Sequence, residues 1–97
     1  MRTIHKFPCS PGNGRNAGEF ELEMPRNSDI LCVQTQHGYP YVWAIVDDEA
    51  PKGMRRFVVV GTGWDLPADI GRSDYIGTYQ DGGFVWHVFA TKPNALG

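Results

Sequence analysis

Ninety-seven residues, with 41% hydrophobic and 21% charged side chains, describe one globular domain over residues 1–97 and exclude global disorder. A formal net charge of −2 excludes the strongly basic footprint of a nucleic-acid binder and the strong acidity of a DNA mimic. No apolar run approaches the roughly 20 residues that span a bilayer, and no linker, internal repeat or heptad pattern divides the chain.

The opening segment MRTIHKFP has no apolar core of the kind a secretory leader carries, so a cytoplasmic location is expected. Cys9 and Cys32 are then expected as reduced thiols, Cys32 buried. They show neither CxxC spacing nor a neighbouring histidine pair, so no metal site and no cofactor are expected. RTIHKF is compatible with a first strand. PCSPGNGRNAG follows, with two prolines and three glycines, and is expected as a mobile Gly-rich loop over residues 11–18. In GEFELEMP, Phe20, Leu22 and Met24 fall on one face and Glu19, Glu21 and Glu23 on the other. That alternation predicts a strand with one face on a core and an acidic face in water, suited to a sheet edge.

DILCVQTQ and YPYVWAIVD flank His37-Gly38, a pair that predicts a tight hairpin with His37 exposed. DDEAPKGMRR is the one helix-compatible segment, but Pro51 and Gly53 limit it to a turn. Its acidic triplet Asp47, Asp48 and Glu49 is expected to be offset partly by Lys52, Arg55 and Arg56. RRFVVVG reads as a further strand. DYIGTYQ and GFVWHVFAT surround Asp81-Gly82-Gly83, the strongest hairpin signal in the chain. The last strand is apolar on both faces and is expected at the centre of a sheet, with Trp86 and Phe89 packed. About seven short, mostly antiparallel strands follow from this reading. Their turns recur at roughly the 8–12-residue spacing of a small β-sandwich or partly closed barrel.

Chemistry is sparse. Gly61-Thr62-Gly63 after an apolar run is similar to a dinucleotide-binding turn. However, no third glycine opens a helix and no Gly-Lys-Ser/Thr follows, so the expected role is to end a strand. Trp64 and Asp65 beside it are expected at the surface, where an aromatic next to free amides would suit a stacked ring and an anion. Trp43 and Trp86 are assigned to the core. Tyr39 and Tyr41, near the His37 turn, are the other surface aromatics suited to an interface. His87 in the last strand is expected to be hydrogen-bonded and partly buried, and no catalytic signature surrounds any histidine.

The blocks TIHKF, EMP, ILCVQTQ, PYVWAIVD, APK, the strand ending in GTG, YIGTYQ and GFVWHVF resemble a family of small all-β proteins encoded by phages, prophages and some bacterial genomes. The resemblance covers nearly the whole chain except the Gly-rich loop, and it implies no catalytic residue. The expected function is non-enzymatic binding of a host or viral protein, with modulation of host defence as the role such an origin implies. The candidate surface comprises Gly61, Thr62, Gly63, Trp64, Asp65, His37, Tyr39 and Tyr41. A nucleotide-type ligand held near the GTGW turn is the alternative, and an enzyme using His87 or His37 is a third reading. Homo-oligomerisation through an unguarded strand edge is a further expectation.

Overall fold

The computed structural model describes residues 1–9 and 18–92. The Gly-rich loop expected at 11–18 therefore lies outside the described residues except for Gly18. Seven strands are present: β1 (Arg2–Pro8), β2 (Glu19–Pro25), β3 (Asp29–Gln36), β4 (Tyr39–Asp47), β5 (Lys52–Gly61), β6 (Tyr75–Asp81) and β7 (Phe84–Ala90). Among the described residues a 3₁₀ turn, Arg72–Asp74, precedes β6. The strands form two antiparallel sheets, one ordered β1-β4-β3 and the other β2-β5-β7-β6. The architecture is a sandwich, not a closed barrel.

Alternation decides which side chains enter the layer between the sheets. In β4, Val42, Ala44 and Val46 point inward and are almost wholly buried, so Tyr41, Trp43 and Ile45 point outward. In β2, Phe20 and Met24 are buried and the three glutamates exposed, as the pattern predicts. Phe20 sits opposite Phe57 and stacks on it, with centroids 5.1 Å apart and planes 11° from parallel. Phe57, Val59, Val88, Val33 and Val42 complete the centre, and each such side chain contributes roughly 1.5–3 kcal/mol on full burial.

The continuous valine run of β5 has a different cause. Val58 and Val60 face outward, but Ile70 folds back over them beside Phe89 and makes a second small cluster. The strand is thus covered on both faces, which removes the alternation from its sequence. β5 also begins at Lys52, earlier than the RRFVVVG block suggests, because it pairs with β2 from Pro25 onward. β7 lies between β5 and β6, the central position expected of it.

Both predicted hairpins form. His37 and Gly38 take φ of 53° and 80°, the doubly positive pair of the tight turn whose twist matches antiparallel strands. In the last hairpin Asp81 pairs with Phe84, so of the Asp81-Gly82-Gly83 signal the two loop residues are Gly82 and Gly83, and Asp81 belongs to the strand.

Several expectations change. Trp43 is half-buried on the outer face of the three-stranded sheet rather than in the core, because it shares the parity of Tyr41. Trp86 is also half-buried and packs at the core's margin. Asp47, Asp48 and Glu49 meet the Met1 amine, at 3.4, 2.9 and 3.3 Å, rather than the basic residues that follow them. Arg56 instead pairs with Glu19 at 2.7 Å and Asp69 at 3.8 Å.

Both cysteines are free, but Cys9 is the buried one and Cys32 is half-buried. Burial pushes the Cys9 thiol up to about 12, with the Tyr79 hydroxyl beside it offsetting part of the rise. A thiolate is the reactive form, so Cys9 is doubly protected. Native protein at pH 8 is expected to titrate no more than one thiol quickly with a disulfide reagent, and two after unfolding without reductant. Rapid loss of both thiols in native protein would contradict this packing.

Candidate functional site

The candidate residues fall on two sheets at the same end of the sandwich. Gly61 ends β5, and the Trp64 amide donates to the Gly61 carbonyl at 3.0 Å, closing a turn over Thr62 and Gly63. The turn returns the indole over the strand end. A Cβ on Gly61 would lie 3.0 Å from the Trp64 ring, so a larger residue there requires the indole to move by a few tenths of an ångström. Trp64 meets Trp86 edge-to-face at 5.3 Å, and Phe84 stacks on the other side of Trp86 at 5.7 Å. These rings border a cleft of about 170 Å³ whose lining includes no charged side chain. Trp64 is 55% exposed and Phe84 65%. Asp65 is exposed and is not among the residues lining the cleft.

Trp64→Ala is expected to cost about 1 kcal/mol of stability, the scale of one edge-to-face aromatic pair, because most of the ring is already in water. A thermal melt would check it, and a loss as large as that of a core aromatic would place Trp64 in the core.

Thr62 has a second role. Its Oγ1 lies 2.7 Å from His87 Nε2, His87 Nδ1 lies 3.0 Å from Thr78 Oγ1, and Thr78 Oγ1 lies 2.6 Å from the Tyr75 hydroxyl. This chain runs along the outer face of the four-stranded sheet and ties the GTG turn to β7 and β6. Neutral imidazole satisfies both contacts with one donor and one acceptor nitrogen. Among the described residues no carboxylate takes part in this series of hydrogen bonds. His87 is hydrogen-bonded and partly buried, as expected.

On the three-stranded sheet, His37 is an exposed turn residue, and Tyr39, Tyr41 and Trp43 follow at every second position on the outer face. Tyr39 and Tyr41 have centroids 5.5 Å apart, and Tyr41 and Trp43 6.4 Å. Lys6, paired with Trp43 across the ladder, lays its ammonium 4.6 Å from the Tyr41 centroid and donates to Gln36 Oε1. Ile4, opposite Ile45, is 57% exposed and continues the apolar row. The Trp43 indole N–H is buried without an acceptor among the described residues, which costs about 1–3 kcal/mol. Sequence reasoning placed Tyr39 and Tyr41 here but missed Trp43, Ile4 and Lys6. The signal for Trp43 was available, since the i, i+2 rule puts it on Tyr41's face.

At the opposite end lies a larger cavity of about 500 Å³, between the β2–β3 turn and the start of β6. Arg55, Tyr75 and Lys92 line it, and none of them was a candidate from sequence. Burial lowers the Arg55 pKa, and the charge of Asp29 offsets part of that. Among the described residues no group of three or more histidine, cysteine or carboxylate side chains is placed to hold a metal ion, and no helix is long and apolar enough to cross a membrane.

Fold and site together define a small two-sheet β-sandwich with an aromatic sheet face over which no described element packs and a polar cavity at one end. Residues 1–96 match the family described as a domain of unknown function, DUF7352, and the chain belongs to that family. No curated protein and no solved structure matches the chain.

Proposed function

We propose that this is a cytoplasmic binding protein of phage or prophage origin that engages a host or viral protein through the outer face of its three-stranded sheet. The observation that carries the reading is the row Tyr39, Tyr41, Trp43 and Ile45 with Ile4 beside it, on a sheet face over which no described element packs. Its opposite face already supplies the core, so the outward apolar groups contribute nothing to the sandwich interior. Contiguous aromatic groups of this kind mark interfaces, where tyrosine and tryptophan dominate the binding energy. Arg2 and Lys6 share the parity of Ile4 on this face; Asp47 stands opposite Arg2, which leaves Lys6 as the cation beside the aromatic row.

The test uses the full chain as bait in lysate of a host cell, beside Ile4→Asp and Tyr39→Asp. Both positions are exposed, so both variants are expected to melt like the parent. A protein retained by the parent and lost by both variants supports the reading, the loss corresponding to about 2 kcal/mol at an interface centre. Capture that survives both changes would move the interface elsewhere, and a size-exclusion shift of the bait alone would make the occupant a second copy.

A further inference from the structure

We propose that the free edge of β1 pairs antiparallel with the free edge of β2 in a second copy of this chain, a joint separate from the aromatic face. A sheet edge presents unpaired main-chain groups, and an added strand satisfies them. The two sheets end in β1 and β3 and in β2 and β6. β3 and β6 meet each other, with Gly77 against the Val33 main chain. Among the described residues no strand pairs with the outer edge of β1 or of β2.

The register fixes which groups those edges present, because residues of an antiparallel pair alternate between bonded and unbonded positions. In β1 the Asp48 amide donates to the Met1 carbonyl at 3.1 Å and the Cys9 amide to the Pro40 carbonyl at 3.0 Å. Odd positions therefore bond β4, and Arg2, Ile4 and Lys6 turn their N–H and C=O groups to the free edge. In β2 the Val59 amide donates to the Gly18 carbonyl at 3.1 Å and the Arg26 amide to the Pro51 carbonyl at 2.8 Å. Even positions therefore bond β5, and Glu19, Glu21 and Glu23 turn theirs to the free edge. Pro8 and Pro25, next in each series, have no N–H and end the row of donors.

Charge selects the pairing. β1 against β1 would bring together the cations of two copies, and β2 against β2 would oppose carboxylates. Like charges facing each other across a ladder destabilise it. β1 against β2 sets cations against carboxylates, and the backbone groups that pair belong to those same residues. Asp47 already faces Arg2, and Glu19 already binds Arg56. Among the described residues Lys6, Glu21 and Glu23 form no ion pair. Lys6 rests over Tyr41 and donates to neutral Gln36, and its flexible stem lets the ammonium turn to a carboxylate arriving at the edge. Whichever glutamate stands opposite Lys6, Glu21 is that residue or its diagonal neighbour.

Sedimentation equilibrium at low ionic strength tests the joint. The parent is expected to associate beyond the mass of one chain as its concentration rises, and less so in high salt. Lys6→Glu and Glu21→Lys, both at exposed positions, are each expected to weaken association about 10-fold or more, since each sets like charges together. An equimolar mixture of the two variants is expected to regain it. The carboxylate placed on β1 of one variant then meets the ammonium placed on β2 of the other, and the unchanged edges meet as in the parent. Damage to the fold does not produce such recovery. Tyr39→Asp is expected to associate like the parent, so this joint and the partner-binding face fail separately. A parent of single-chain mass at millimolar concentration, a mixture no more associated than its components, or association lost in Tyr39→Asp but kept in both charge variants would each overturn the proposal.

Discussion

Gly77→Ala is expected to lower the unfolding free energy by about 3 kcal/mol, at the upper end of what one inserted methyl group does in a packed interior. Gly77 sits on β6 beside a break in register with β7, where the edge of the four-stranded sheet comes against β3 of the other sheet. A Cβ there would lie 2.7 Å from Val33 Cγ1, 2.9 Å from the Val33 carbonyl oxygen and 3.3 Å from its amide nitrogen. Two of these atoms are backbone, so no rotamer change relieves the contact. The backbone φ of 154° is itself rarely adopted by residues with a side chain. Only separation of the two sheet edges accommodates the methyl group, and that opens the core at Val33. Urea unfolding measures the loss directly. In a domain this size each kcal/mol moves the melting temperature by about 4–8 °C. An unchanged midpoint would mean that β3 and β6 do not abut at this point.

Phe57→Ala is expected to cost about 3–5 kcal/mol, a large share of the roughly 5–15 kcal/mol that hold such a domain together. Phe57 is wholly buried and stacks on Phe20. The pair links the edge strand β2 to β5, so removing one ring leaves a cavity beneath the other. Comparison with Trp64→Ala in the same melt separates core from surface aromatics. If the two variants lost equal stability, the inward direction of β5 would be wrong.

The two variants also show which features were legible in the sequence. The alternation of β2 and the turn pairs His37-Gly38 and Asp81-Gly82-Gly83 identify strands and hairpins because those signals are local. Gly61-Thr62-Gly63 was equally readable as a strand end that leaves Trp64 exposed. Gly77 was not readable, since its constraint comes from Val33 on the other sheet. The same holds for Arg55: in RRFVVVG it is one of two adjacent arginines. Only the fold shows that Arg56 meets Glu19 and Asp69 while Arg55 turns into a cavity with Tyr75 and Lys92. Trp43 lies between these cases. Its parity with Tyr41 marks it as outward-facing, but its bulk argues for the core. The periodicity of the strand decided, because Val42, Ala44 and Val46 already fill the interior.

The role of the aromatic face of the three-stranded sheet is tested most directly by titrating isotope-labelled protein with its captured partner and following backbone and indole N–H resonances. The partner is expected to move the amides of Ile4, Tyr39 and Tyr41 and the indole of Trp43, while the Trp64 indole and the amides around Arg55 stay in place. Shifts centred on Trp64 and Trp86, or on the Arg55 cavity, with β1 and β4 unmoved, would contradict the assignment of that face as the binding surface.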